Sequence, residues 1–292
     1  MRDEKELISC LITTHNRLGD LKRAVNSVVK QSYEKIELII VNDFSNDGTK
    51  EWINNLQLNI PLIVVNNKAL LGGNVSRNIG IKRSSGKYVA FLDDDDVWYE
   101  DKLSLQYDIF KNNKSVGVVY CGLNRVVDDK SIKKVIPKKE YKGCLKEKIF
   151  ETIITTTSTL IIEREMLEMV NYFDENLKFW QEYDLLIRLA QITNFDFVNQ
   201  VLIDLQVNTN DKQRLSNKYN QWEESVEIIN TKYSTLIEKL PIKTLHLKQK
   251  TYLIDSIYRM KNNGMTKGVI KNTLKLAVLL KNPKWLYLPF YK

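Results

Sequence analysis

Tyr88-Val89-Ala90-Phe91-Leu92 runs directly into Asp93-Asp94-Asp95-Asp96. The apolar run reads as a strand buried on both faces, and the four carboxylates mark where it leaves the core. Adjacent like charges repel, and a carboxylate beside a core is costly to desolvate without a compensating cation. A divalent cation carrying a phosphorylated ligand would supply that compensation. A solvated acidic turn is the plainer alternative, and the sequence before it decides between the two.

That sequence alternates strand and helix. Leu7 to Ile12 is a β-type run, and Leu21, Ala24, Val25, Val28 and Val29 share one helical face. Ile36 to Val41 repeats the strand, followed by a turn rich in Asn, Asp, Ser and Gly and a helix through Trp52, Ile53 and Leu56. Pro61 to Val65, a helix from about Asn74 to Arg83, and Lys87 to Leu92 complete the series. The expected fold class is α/β, Rossmann-like, with a mostly parallel central sheet and helices on both faces. In such sheets ligands gather at the carboxyl ends of the strands, where Asp43 and the acidic cluster both fall.

A helix from about Lys102 to Lys111 leads to strands at Val116–Tyr120 and Leu123–Val127, and then a polar loop or hairpin over Asp128–Lys142. Ile153 to Ile162, with Thr155-Thr156-Thr157-Ser158-Thr159, reads as a strand entered from a polar loop. Phe179 to Ala190 is expected to be helical, as is the chain beyond Trp222, with a break near Pro241. The expected organisation is a domain over 1–210, with halves of about 1–97 and 98–210, and a basic helical region over 211–292.

The chain has 292 residues, 43% of them hydrophobic and 27% charged, which excludes disordered and collagen-like classes. Cys10, Cys121 and Cys144 are widely spaced and read as free thiols in a reducing compartment. The charged start and the lack of a long apolar run predict a cytoplasmic protein. From Asp211 to Lys292 there are 16 Lys/Arg against 6 Asp/Glu, so the net charge of +8 belongs to the tail.

Two further stretches carry chemistry. In Asn42-Asp43-Phe44-Ser45-Asn46-Asp47-Gly48 a strand ends in a turn that opens a helix, with Ser45 or Asp47 suited to cap it. Asp43, at the ligand edge, can accept a hydrogen bond from a base N–H. An EF-hand is excluded because the twelfth position counted from Asp43 is Asn54. In Leu71-Gly72-Gly73-Asn74-Val75-Ser76-Arg77 paired glycines precede a helix carrying Arg77, and both a phosphate cradle and a flexible loop fit this pattern.

Thr14-His15-Asn16-Arg17, Val41-Asn42-Asp43-Phe44-Ser45 with Asp47-Gly48-Thr49, Gly73-Asn74 with Ser76-Arg77-Asn78-Ile79-Gly80, and Gly86-Lys87-Tyr88 leading into Asp93–Asp96 together resemble family 2 of the glycosyltransferases, which has the GT-A fold. The resemblance spans about residues 7–205. It implies inverting transfer of a sugar from a UDP-sugar donor, with Mn²⁺ or Mg²⁺ as cofactor. Asp43 matches the carboxylate that reads the uracil, Asp94 the one near the ribose, and Asp95 the metal ligand, with Asp93 as the first acid of the Asp-x-Asp motif. Thr14, Asn16, Arg17, Gly73 and Arg77 complete the implied nucleotide-sugar site.

The reaction also needs a base for the acceptor hydroxyl, contributing about 10²- to 10⁴-fold. Phe179-Trp180-Gln181-Glu182-Tyr183-Asp184-Leu185-Leu186-Ile187-Arg188 resembles the family segment near the acceptor cleft. Anchoring on Leu185 and Arg188 favours Glu182 as base, with Asp184 as its rival; both acids also suit a helix start. Trp98 and Trp180 are candidates for stacking on sugar rings. Where the family often supplies a late His near the diphosphate, Asn208 to Arg214 has none, and Arg214 is a weak phosphate candidate.

Lys267, Lys271 and Lys275 lie four apart beside Ile270, Leu274, Ala277 and Val278, and Trp285 to Tyr291 is aromatic. A peripheral contact with anionic membrane and a helix packed on the domain both fit this tail. The expected partners are a UDP-sugar and a glycan or lipid-linked oligosaccharide acceptor, in capsule, exopolysaccharide or lipopolysaccharide synthesis. A homodimer fits the C-terminal helices, and no nucleic acid is expected. A sugar-phosphate nucleotidyltransferase would need a glycine-rich loop after the first strand, which Thr13 to Arg17 lacks. A non-catalytic glycan or anionic-polymer binder would have no use for Asp43, Asp95 and Glu182.

Overall fold

The structure, a computed structural model, describes residues 5–128, 130–207 and 218–282. The chain forms two compact units, one of Met1–Leu145, Ile154–Glu175 and Arg188–Thr209, the other of Lys146–Ile153, Asn176–Ile187 and Asn210–Lys292.

The first unit opens with β1 (Ile8–Thr14), α1 (Leu18–Val29), β2 (Ile36–Asn42), α2 (Thr49–Asn54), β3 (Leu62–Asn66), α3 (Gly73–Arg83) and β4 (Tyr88–Asp93). It continues with β5 (Val97–Trp98), α4 (Lys102–Asn112), β6 (Val116–Val127), β7 (Lys130–Val135), β8 (Ile161–Glu163) and α5 (Arg164–Met169). After α6 (Gln181–Ala190), which the two units share, comes β9 (Asn194–Val207). The strands make one sheet in the order β3-β2-β1-β4-β8-β6-β9-β5, with β7 on β6.

β1, β2, β3 and β4 pair in parallel, with Cys10 opposite both Leu38 and Ala90. Ile8, Cys10 and Ile12 face Leu21, Ala24, Val25 and Val28 of α1 in a core that also takes Leu103, Tyr107 and Phe110 of α4. Leu11, one residue out of phase, points to the opposite face. There it meets α3 so closely that a Cβ on Gly80 would lie 2.2 Å from its Cδ1. Helices therefore cover both faces, as the alternating pattern predicts. In this register Thr14, Asn42 and Asn66 align, and Thr13 aligns with Asp93, so the four strands end along one edge.

The opposite end of these strands is held by Glu37. Its buried carboxylate accepts from Ser9 Oγ at 2.5 Å, Ser85 N at 2.7 Å, Ser85 Oγ at 2.8 Å and Gly86 N at 3.2 Å. Burial pushes its pKa up, but these donors outweigh it and hold the group below the usual glutamate value.

Three elements depart from the sequence reading. Residues 153–160 are not strand: they are loop and a 3-10 turn at Thr157–Thr159, and only Ile161–Glu163 pairs, antiparallel to β4. The two strands expected over Val116–Val127 are one. β9 is not among the strands expected from the sequence, although Phe195-Asp196-Phe197 and Ile203 to Val207 alternate apolar and polar residues as a half-buried strand does; it pairs along β6.

The second unit contains the first part of α6, α7 (Tyr219–Lys232), α8 (Ser234–Ile237), α9 (Ile242–Asn262) and α10 (Thr266–Leu279). Its core centres on Trp222, stacked on Tyr252 with ring centroids 5.4 Å apart and met edge-on by Trp180 at 5.7 Å. The Arg259 guanidinium lies over the Phe179 and Trp222 rings and pairs with Asp255 at 3.1 Å.

Candidate active site

The edge where β1, β2 and β4 end collects the acids that the sequence singles out. Asp43 is buried just after β2, and its backbone N–H donates to Thr14 O at 2.8 Å. Its carboxylate accepts from Asn67 Nδ2 and Leu71 N at 2.9 Å and from Gly72 N at 2.7 Å. Asp43 thus ties the end of β2 to the glycine loop before α3. A carboxylate offers about four acceptor positions, so one remains after these three bonds.

The β1–α1 turn is locked to the β2–α2 turn. Asn16, at φ 53°, donates from its N–H to Ser45 Oγ at 2.9 Å and accepts from Asn46 N at 2.7 Å. His15 Nδ1 lies 2.7 Å from Asp43 O and its Nε2 lies 3.1 Å from Asn16 Nδ2, an arrangement satisfied by the Nδ1–H tautomer. Asp47 accepts from Leu18 N at 3.0 Å and Thr49 N at 3.2 Å, so it serves the starts of both α1 and α2. Ser45, the other capping candidate, is turned to Asn16 instead.

The four aspartates have four different surroundings. Asp93 accepts from Arg77 Nη2 at 2.7 Å. Arg77 is buried one turn into α3, and the lack of a side chain at Gly73 makes room for it: a Cβ there would lie 3.1 Å from Arg77 Nη1. Asp94 and Asp95 share Arg17, whose Nη1 is 3.2 Å from Asp94 Oδ1 and 3.1 Å from Asp95 Oδ2. Burial pushes the Asp94 carboxyl above the usual aspartate range, and Arg17 pulls it part of the way back. Asp96 points inward, accepting from Ser158 Oγ at 2.5 Å and Gln206 N at 2.9 Å. Burial, followed by the charges of Asp95 and Asp93, drives its pKa well up.

Ser158 is the residue that sequence reasoning missed. It takes the Asp93 N–H on its Oγ at 3.0 Å, donates to Asp96, and offers its carbonyl to Trp98 Nε1 at 2.8 Å. The acidic turn is therefore moulded by the 3-10 turn that stands where a strand was expected. The polar run Thr155–Thr159 was the available signal. Trp98 is a correction: it is buried in the main core with Lys102 Nζ 4.1 Å from its ring centroid, so it has no face for a sugar.

A divalent cation fits the donor set here. Asp93 and Asp95 present hard carboxylate oxygens with side chains 30% exposed. Among the described residues no group of three or more acidic, His or Cys side chains closes around a cation, so such an ion would draw further oxygens from a bound diphosphate.

The second unit carries the two candidates for the base. Asp184 is fully buried, with Oδ1 2.7 Å from both Lys232 Nζ and Tyr233 Oη. Glu182 stands in the first turn of α6 and is half-buried. Trp180 donates from Nε1 to Asp255 at 3.1 Å. Arg214 lies outside the described residues, as does the aromatic stretch Trp285–Tyr291.

Residues 9–170, more than half of the chain, match the family model described as glycosyl transferase family 2. The chain belongs to glycosyltransferase family 2. It is 30% identical over 272 residues to an uncharacterized glycosyltransferase of Rickettsia prowazekii, covering 90% of this chain and 82% of the relative. It is 31% identical over 205 residues to the amylovoran biosynthesis glycosyltransferase AmsB of Erwinia amylovora, 65% of each chain. Among solved structures this glycosyltransferase is similar in fold to residues 1–349 of S. aureus TarS in complex with UDP-GlcNAc, at TM-score 0.63 and 16% identity, covering 94% of this chain and 92% of that one. It is also similar to the mannosyltransferase PcManGT of Pyrobaculum calidifontis in complex with GDP-Man and Mn²⁺, at TM-score 0.64 and 14% identity, covering 99% and 86%. The GT-A fold is shared with both.

Proposed function

We propose that this glycosyltransferase moves a sugar, with inversion, from a UDP-sugar to a hydroxyl of a glycan or lipid-linked oligosaccharide in the assembly of a bacterial surface polysaccharide. One observation carries the reading: Asp43 and the arginine-paired acids Asp93, Asp94 and Asp95 stand at the carboxyl ends of the parallel strands β2 and β4, where α/β sheets bind nucleotides. The UDP-GlcNAc complex of TarS supports a uridine donor, and the biosynthetic role of AmsB supports a polysaccharide product. The GDP-Man complex of PcManGT makes a guanosine donor the second reading.

In this reading the free acceptor position of Asp43 takes the uracil N–H, Asp94 takes the ribose, and Thr14, Asn16 and Gly73 shape the nucleotide bed. Arg17 and Arg77 turn toward the diphosphate. Mn²⁺ or Mg²⁺ on Asp95, the ion seen with PcManGT being Mn²⁺, would supply Lewis-acid neutralisation of the departing diphosphate. Glu182 takes the proton of the acceptor hydroxyl as the new bond forms at the anomeric carbon and the bond to the diphosphate breaks. Asp184, occupied by Lys232 and Tyr233, holds the second unit together instead.

The test is a UDP-release assay with a panel of UDP- and GDP-sugars, with Mn²⁺ and then with EDTA. Metal-dependent release from one UDP-sugar supports the reading and names the donor. Release from a GDP-sugar alone replaces the nucleotide, and no release from any donor removes the enzymatic reading.

A further inference from the structure

Helix α10 has two unlike faces. Val269, Asn272, Thr273 and Leu276 are buried in the second unit, where Asn272 Nδ2 donates to Ser256 Oγ at 2.8 Å. On the other side Ile270, Leu274 and Val278 are 56%, 52% and 77% exposed. Spaced four apart at about 100° per residue, they form a stripe that drifts through about 80°. Lys267, Lys271 and Lys275 repeat the same spacing along its flank, and no Asp or Glu occurs from Asn262 to Lys292. A single exposed Leu needs no explanation, but three branched apolar residues in register beside three lysines make a patch with a purpose.

Charge selects the occupant. A second copy laid on this stripe would bring two rows of lysine together with no acid to meet them. A nucleic acid would pair with the lysines and leave the apolar stripe in water. An anionic lipid surface satisfies both, with the alkyl side chains below the headgroups and the ammonium groups at their phosphates. The helix has 14 residues, about 21 Å, too short to cross a bilayer, and no described helix is long and apolar enough to do so.

We propose that α10 is a membrane-docking helix that lies on an anionic lipid surface through Ile270, Leu274 and Val278, with Lys267, Lys271 and Lys275 as its electrostatic contacts. The proposal is independent of the donor reading, and thermal unfolding of the same variants serves as the folding control.

The experiment is flotation of the full chain with vesicles of phosphatidylcholine alone or mixed with phosphatidylglycerol, at low and high salt. The wild type is expected to float with the mixed vesicles only, less so as salt rises. Replacing the three lysines by Gln should weaken partitioning by on the order of a hundredfold, about fivefold per lysine. Leu274→Asp should abolish flotation while thermal unfolding stays unchanged. Flotation that is equal in the wild type and both variants, or absent with phosphatidylglycerol, would overturn the proposal. So would a concentration-dependent dimer that Leu274→Asp dissolves.

Discussion

One guanidinium nitrogen of Arg17 bridges Asp94 and Asp95, at 3.2 Å and 3.1 Å. The carboxylate proposed to hold a cation is thus already paired with one, from the β1–α1 turn. Metal entry and the departure of Arg17 are then linked, and a diphosphate gives the arginine somewhere to go. Mn²⁺ alone is expected to bind weakly, and Arg17→Gln should raise Mn²⁺ affinity in the absence of nucleotide by about tenfold, the value of one exposed to half-buried ion pair. The same variant should bind UDP more weakly. Calorimetry of Mn²⁺ with and without UDP checks both, and an unchanged Mn²⁺ affinity contradicts the linkage.

Glu182 and Asp184 are separated by their surroundings. Glu182→Gln is expected to preserve donor binding and thermal stability while transfer falls by about 10²-fold or more. Asp184→Asn should lower stability by about 2–4 kcal/mol, because Lys232 loses its buried partner. Thermal unfolding and single-turnover transfer on the two variants distinguish these outcomes; a stable, inactive Asp184→Asn would reverse the assignment.

Much of this was legible beforehand because parallel strands announce themselves: Ile36 to Val41 is apolar but for Glu37, Tyr88 to Leu92 is apolar throughout, and each leads within two residues to an acid that matters. The arginine partners were legible only as types. Nothing in the spacing of Arg17 says that it reaches Asp94 and Asp95, since that depends on β1 lying beside β4. Ser158 was hidden for the same reason: a threonine-rich run has the composition of a strand, and only its contacts with Asp93, Asp96 and Trp98 make it a turn.

Lys102 is fully buried, and its Nζ has no hydrogen-bond partner among the described residues; it lies over the Trp98 ring beside the buried thiols Cys10 and Cys121. Burial lowers its pKa from 10.5 to about 8. Between these values the unfolded chain holds a proton that the folded chain has shed, so this group makes stability rise with pH across that window, by about 3 kcal/mol in all. Cys10, pushed up to about 12, and Cys121, pushed up to about 11, act in the opposite sense above pH 9. The clean readout is therefore the difference between wild type and Lys102→Met in denaturant unfolding from pH 7 to 10.5. The variant is expected to be the more stable at pH 7, with the gap closing as pH rises; a constant gap contradicts the account.

Glu37 gives the acid counterpart. Its depressed pKa contributes stability that is present above the unfolded value of 4.5 and is lost as pH falls through the folded value. Glu37→Gln is expected to cost about 1–3 kcal/mol at pH 7, since its donors lose a charged acceptor, and to flatten the acid limb of a stability–pH curve.

The central claim is tested most directly by calorimetric titration of UDP into wild type and Asp95→Ala, each with Mn²⁺ and with EDTA. The account predicts that the wild type binds UDP much more tightly with Mn²⁺ and that Asp95→Ala shows no such gain. Equal, metal-enhanced affinity in both proteins would contradict it.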